Sequence, residues 1–271
     1  MCGIIGYVGE RNAVPFLLQG LKALEYRGYD SAGVAVLSGG ALRVRKRQGK
    51  LSVLEASLQS GSLQGVLGIG HTRWATHGLP NEKNAHPHLD CSGMVAVVHN
   101  GIIENFAQLR SHLLLEGHPF HSQTDTEVIA HLVEQYYDGN LERALRRALR
   151  DIRGTYAIGL LHRRHPDSLL GARSGSPLVV GKGQGENFLA SDLLAFFRYT
   201  KRVIYLDDGD IVLLKKNEIS VRNTQGHRTT KRLHAVAWDV SVAQKGGFPH
   251  YMLKEIHEQP QAVRRTLAGR I

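Results

Sequence analysis

Met1-Cys2-Gly3-Ile4-Ile5-Gly6-Tyr7-Val8-Gly9 opens the chain. The apolar run between glycines reads as a buried strand over 3–9, with a cysteine at its head. Removal of Met1, which the small side chain of Cys2 permits, would leave one residue carrying both a thiol and a free α-amine. An α-amine titrates near ~8, so it can accept a proton at cellular pH. A thiol needs such a base within hydrogen-bond reach to become the nucleophilic thiolate. A cysteine at the head of a strand is also an ordinary small core residue. The partners that follow it in the chain decide between the two readings.

Working outward, Asn12 is placed to cap a helix over 13–25, whose apolar face is Val14, Leu17, Leu18, Leu21 and Leu24. Ser31–Leu37 and Leu42–Arg47 read as two strands joined by Gly39-Gly40. A short helix over 51–58 and a strand over 66–72 follow. Residues 73–92 are a long polar loop without periodicity, which inside a compact domain points to function. A buried strand at Met94–Val98 ends at His99-Asn100-Gly101, where Asn-Gly is also an ordinary turn signal. Helices are expected at 104–116, 125–137 and 140–151, the second opening on Thr124-Asp125-Thr126-Glu127 as a capping box. From Gly154 strands return, at 156–161, 169–172, 178–180, 188–190, 202–206, 210–214 and 218–222, with a helical turn from Ser191-Asp192. Residues 223–250 are loop-rich, and Lys254–Thr266 suggests a last helix. With no steady βαβ alternation, packed antiparallel sheets covered by helices are favoured over a doubly wound parallel sheet.

Composition narrows the class. The 271 residues, 42% hydrophobic and 21% charged, suit a globular protein with a sizeable core. No apolar run approaches the ~18 residues of a membrane span, and no secretory leader is evident. Cys2 and Cys91 are the two cysteines, without CxxC spacing, which argues against a disulfide framework and favours a reducing cytoplasm. Lys plus Arg exceeds Asp plus Glu by 34 − 24 = 10. The basic residues are scattered and not interleaved with aromatics, which argues against nucleic acid as a partner. His71, His77, His86, His88 and His99 crowd one region, yet their spacing matches no paired-ligand pattern, so no metal or other cofactor is expected there.

Six stretches occur in one order: MCGIIGYVG at 1–9, EYRGYDSAG at 25–33, HTRWATHG at 71–78, NAHPH at 84–88, HNGIIEN at 99–105 and TDTEVIAHL at 124–132. RSGSPLVVG at 173–181, ASD at 190–192 and HYMLKEIHEQP at 250–260 continue the series. The series resembles the glutaminase domain of the glucosamine-6-phosphate synthase family, within the class II, N-terminal-nucleophile (Ntn) glutamine amidotransferases. The resemblance implies an α+β fold, a four-layer αββα sandwich of two antiparallel sheets. It implies L-glutamine as substrate and Cys2 as the nucleophile, with Asn100 and the Gly101 N–H as oxyanion hole. Arg27 and Gly28 match the turn that packs against the nucleophile. Arg73 would hold the substrate carboxylate and Asp125 its ammonium, although an Asp at a helix start is favoured anyway. Trp74, Thr76 and His77 match a loop that closes over glutamine, and His86 matches a residue behind the substrate site.

The same resemblance places the glutaminase domain at 2–240 and the start of a linker at 241–271. Beyond it would lie an isomerase domain binding fructose 6-phosphate, absent here, in a homodimeric full-length enzyme. Rival expectations are another amidotransferase of the class, such as amidophosphoribosyltransferase or asparagine synthetase, a catalytically silent binding module, and a basic nucleic-acid-associated protein. The YRGYDSAG turn and RWATHG favour the glucosamine enzyme.

Overall fold

The computed structural model describes residues 2–58, 63–75, 78–237 and 246–269. Two compact units divide the chain, Met1–Ala235 and Val236–Ile271.

The first unit begins with β1 (Gly3–Val8), α1 (Ala13–Leu24), β2 (Ser31–Ser38), β3 (Ala41–Gln48), α2 (Leu51–Leu58) and β4 (Leu67–Arg73). Then come β5 (His88–Leu89), β6 (Val95–Ile103), α3 (Phe106–Leu115), α4 (Glu127–Tyr136) and α5 (Leu141–Asp151). The remainder is strand: β7 (Gly154–His162), β8 (Leu169–Ser174), β9 (Val179–Lys182), β10 (Asn187–Ala190), β11 (Arg202–Tyr205), β12 (Asp210–Leu214), β13 (Ile219–Asn223) and β14 (His234–Ala235). One sheet has the order β14-β11-β9-β10-β1-β4-β2-β3 and the other β13-β12-β8-β7-β6-β5. Every strand pairing in both is antiparallel.

Alternation along the strands makes the layers. On β6, Ala96 and Val98 join Ile4, Ile69, Leu189 and Val212 in the core between the sheets. Val95 and Val97 face the other way, onto Val128, Leu132, Leu145 and Ala148 of α4 and α5. A period of two in side-chain direction is what lets one strand serve both cores. On the far side, α1 packs on the first sheet through the fully buried Leu17, Leu21 and Leu24. A buried leucine cut to alanine costs about 2–5 kcal/mol, so this face alone ties the helix to the sheet. The result is the expected αββα sandwich.

Local signals mostly act as the sequence suggests. Asn12 accepts from the Val14 N–H at the start of α1 (3.3 Å). Gly39 and Gly40, with φ of 55° and 73°, close a two-residue hairpin between β2 and β3. Two readings change. The strand expected to end at Val98 runs on to Ile103, so Asn100-Gly101 lies within β6 opposite Ala157 and Tyr156, not in a turn. The capping box also does not form: α4 begins at Glu127, and its cap residue Thr126 makes no side-chain cap bond. The Glu127 carboxylate reaches back instead to the amides of His121 (2.8 Å) and Ser122 (2.7 Å), pinning the incoming loop.

The second unit holds the helix Tyr251–Leu267, with Pro260 inside it.

Candidate active site

Cys2 sits at the head of β1, in the middle of the larger sheet. Its position follows from the strand: Gly3 pairs with Thr72 of β4, the Ile4 N–H donates to Ser191 Oγ (3.0 Å), and the Ser191 N–H returns a bond to the Ile4 carbonyl (3.1 Å). The Trp74 N–H donates to Cys2 Sγ at 3.2 Å. Burial pushes the Cys2 thiol pKa up, with the Trp74 backbone and the Arg73 charge pulling the other way. The thiol therefore rests protonated and needs a base to become a nucleophile.

Asn100 Nδ2 donates to the Cys2 carbonyl at 3.0 Å. Its Oδ1 lies 3.0 Å from His71 Nε2. With that nitrogen protonated, His71 donates to Oδ1 and turns the amide's N–H face toward Cys2. Gly101, next in β6, has φ 134°, and a Cβ there would collide with the Thr155 carbonyl oxygen of β7. Only glycine allows this kinked strand geometry beside the nucleophile.

A narrow cleft collects the rest. Its walls are Cys2, Arg73, Trp74, His86, His99, Gly101, Thr124, Asp125 and Thr126. Arg73 ends β4 and is buried, its guanidinium donating to the carbonyls of Gly78 (3.2 Å) and Leu79 (3.4 Å). Asp125 precedes α4 and accepts the Ile103 N–H through Oδ2 at 2.8 Å. A cationic side chain, an anionic side chain and a thiol thus line one cleft. That pattern suits a zwitterionic α-amino acid with a reactive side chain.

The expected site residues are placed unevenly. Cys2, Arg73, Trp74, His86, Gly101 and Asp125 meet in the cleft, and Asn100 adjoins it through Cys2. Trp74 contributes its backbone; its ring is exposed and stacks edge-on to Tyr29 (5.8 Å). Gly28 lies against the backbone of Arg73 and Trp74, where an added Cβ would stand 2.7 Å from Arg73 C and 2.8 Å from Trp74 N. Arg27 pairs with Asp192, with Nη2 to Oδ2 at 2.6 Å, and so braces the turn that follows β10, next to the Ser191 that bonds Ile4. Thr76 and His77 lie outside the described residues. Sequence reasoning passes over Asp30, whose carboxylate takes the Ala75 N–H at 2.8 Å, and Ser191, which fixes β1. Both stand in the quoted YRGYDSAG and ASD stretches, which is the available signal.

Behind the cleft the histidines form a wired core. His86 Nδ1 is 3.0 Å from His71 Nδ1, and His86 Nε2 is 2.9 Å from Thr126 Oγ1, which also meets His99 Nδ1 at 3.0 Å. His88 Nε2 meets Thr124 Oγ1 at 3.0 Å. Burial lowers the pKa of His71 to about 3, and by the same cause holds His86 and His88 well below, and His99 below, the usual histidine range. All four are neutral at pH 7. The unfolded chain takes up these protons near ~6.5, so below that pH it binds more protons than the fold does. Their contribution is complete above ~6.5 and is lost as pH falls toward 3, His71 alone losing about 1.4 kcal/mol per pH unit. The melting temperature is expected to drop between pH 6.5 and 5, before the carboxylates titrate; a flat profile there contradicts neutral burial of the cluster.

The profile of the "Glutamine amidotransferase domain" family matches residues 59–252. The chain belongs to the glutamine amidotransferase family. Cys2 precedes the matched segment, but the curated relatives align across it. A glutamine–fructose-6-phosphate aminotransferase (isomerizing) from Caldanaerobacter subterraneus subsp. tengcongensis is 52% identical over 271 residues, the whole chain and 45% of the relative. One from Thermus thermophilus is 54% identical over the same span, again 45% of its length. The chain therefore spans less than half the length of these relatives. Among solved structures, the glutamine phosphoribosylpyrophosphate amidotransferase of B. subtilis, complexed with ADP and GMP, superposes with TM-score 0.72 at 25% identity. That superposition covers 82% of this chain and 49% of the other, so this amidotransferase shares its sandwich with a protein of quite different sequence.

Proposed function

We propose that this chain hydrolyses L-glutamine to glutamate and ammonia through a thioester on Cys2. The observation that carries the reading is the convergence of Cys2, Gly101, Arg73 and Asp125 on one cleft, with Asn100 bonded to the Cys2 carbonyl beside it. With Met1 removed, the α-amine of Cys2 takes the thiol proton, directly or through a water. The thiolate attacks the side-chain amide carbon of glutamine. The oxygen that becomes negative is received by Asn100 Nδ2 and the Gly101 N–H, a kind of donor worth roughly 3–4 kcal/mol each when preorganised. Collapse breaks the C–N bond, and the protonated α-amine hands its proton to the departing ammonia. Water then cleaves the thioester, giving glutamate and the free thiol. Arg73 holds the α-carboxylate and Asp125 the α-ammonium, the former bidentately. The steps require neither metal nor organic cofactor.

Identity of 52–54% with the glutamine–fructose-6-phosphate aminotransferases, against 25% with the phosphoribosylpyrophosphate enzyme, favours the former as the longer protein's activity. In that reading the ammonia serves glucosamine 6-phosphate synthesis in the cytoplasm. A further domain binding fructose 6-phosphate would receive it, in a homodimer. Among the described residues no helix is long and apolar enough to cross a membrane. The chain alone is expected to release glutamate and ammonia in equal amounts from glutamine, once intact mass verifies loss of Met1. Absence of glutamate from such protein defeats the proposal.

A further inference from the structure

Outside the residues that line the cleft, four side chains of metal-ligand type meet beside α4. Cys91 lies in the turn between β5 and β6, His118 follows α3, and His131 and Glu134 lie three apart on one face of α4. Cys91 Sγ is 3.2 Å from His118 Nδ1 and 3.3 Å from His131 Nδ1. Glu134 Oε2 is 3.1 Å from His118 Nδ1 and 3.4 Å from His131 Nδ1. All four donor atoms lie within 4.8 Å of one another. A tetrahedral ion with bonds of about 2.0–2.3 Å has ligand–ligand edges of about 3.3–3.6 Å. Of the four distances, 3.3 and 3.4 Å fall in that range and 3.1 and 3.2 Å fall just short of it, so these pairs need only small outward shifts to hold the ion.

We propose that Cys91, His118, His131 and Glu134 bind a single zinc-class divalent cation as a structural site.

Chemistry supports the assignment beyond proximity. One thiolate, two imidazoles and a carboxylate are a zinc donor set, and four protein ligands leave no open position for catalysis. Thiolate and carboxylate together neutralise the dication; on binding, the Cys91 S–H bond breaks and its proton leaves to solvent. The outer support is also in place. His131 is fully buried, and its Nε2 makes no hydrogen bond although it faces Glu127 Oε1 at 3.7 Å. A metal on Nδ1 fixes the proton on Nε2, where Glu127 becomes its acceptor, the carboxylate–histidine–metal arrangement. The bound ion would tie the β5–β6 turn and the segment after α3 to the helix that directly follows the cleft-lining residues Thr124, Asp125 and Thr126. It would act as a clamp, apart from the thioester chemistry.

The test uses the full chain, stripped with a chelator and titrated with Co²⁺ and Zn²⁺ alone. One Co²⁺ per chain is expected, with the intense visible bands of a tetrahedral ion and a thiolate-to-metal charge-transfer band, all displaced by one equivalent of Zn²⁺. The melting temperature is expected to rise with Zn²⁺. Cys91→Ser should lose the charge-transfer band and weaken Zn²⁺ binding by roughly 100-fold or more, and His118→Ala should weaken it likewise. Neither side chain is in the core, so the metal-free melting temperature of both variants should match the parent's. Cys2→Ala should keep the full signal. A Co²⁺ spectrum without the thiolate band, a signal that survives Cys91→Ser, or one lost in Cys2→Ala overturns the site.

Discussion

Cys2→Ala is expected to abolish glutamate release, by a factor on the order of 10⁴ or more, because the covalent route disappears with the sulfur. The remaining groups cannot replace it. Asn100 and Gly101 can stabilise an oxyanion only after something attacks the amide, and burial of the cleft keeps bulk water from doing so efficiently. Stability should barely change, since Cys2 is half-buried and its sulfur contacts only the Trp74 backbone among its hydrogen-bond partners. Glutamine affinity should also persist, since Arg73 and Asp125 are untouched. Calorimetric binding together with a glutamate assay separates these outcomes. Loss of binding along with turnover would mean that the variant damages the pocket instead of removing the nucleophile.

Asn100→Ala is expected to lower kcat by about 10²–10³ with KM nearly unchanged, the cost of losing one oxyanion donor. The reason lies in where the amide points. Nδ2 is held toward Cys2 by His71 at the opposite end of the same group; in the proposed mechanism that puts it on the oxygen that gains charge, not on the α-carboxylate or α-ammonium. Steady-state kinetics check the split. A rise in KM at constant kcat would instead place Asn100 among the groups that bind the substrate's ground state.

Much of this site is readable from residue order alone. A cysteine at position 2, an arginine after a strand and an aspartate before a helix each carry chemistry in their type, and the quoted motifs assign them to one substrate. The limits are geometric. Asn100-Gly101 reads as a turn because Asn-Gly closes hairpins; here a glycine with φ 134° stays inside β6 since β7 supplies partners on both sides of it. Thr124–Glu127 reads as a capping box because its spacing fits, but the Glu127 carboxylate accepts from the loop amides of His121 and Ser122 instead. Arg27 matches a turn beside the nucleophile, and its charge goes to Asp192, 165 residues on, a pairing that no local pattern encodes. The histidine crowd reads as ligands lacking a spacing rule. Folding turns it into a neutral network behind Asn100, while the cluster with ligand geometry draws on Cys91, His118, His131 and Glu134 from three separate segments.

The most direct measurement is peptide mapping of the chain after reaction with a glutamine-mimicking electrophile, on protein shown by mass to lack Met1. Labelling of Cys2 alone, one equivalent per chain and blocked by excess L-glutamine, is the predicted result. Labelling at Cys91, or glutamine hydrolysis that continues undiminished with Cys2 fully modified, would contradict the account.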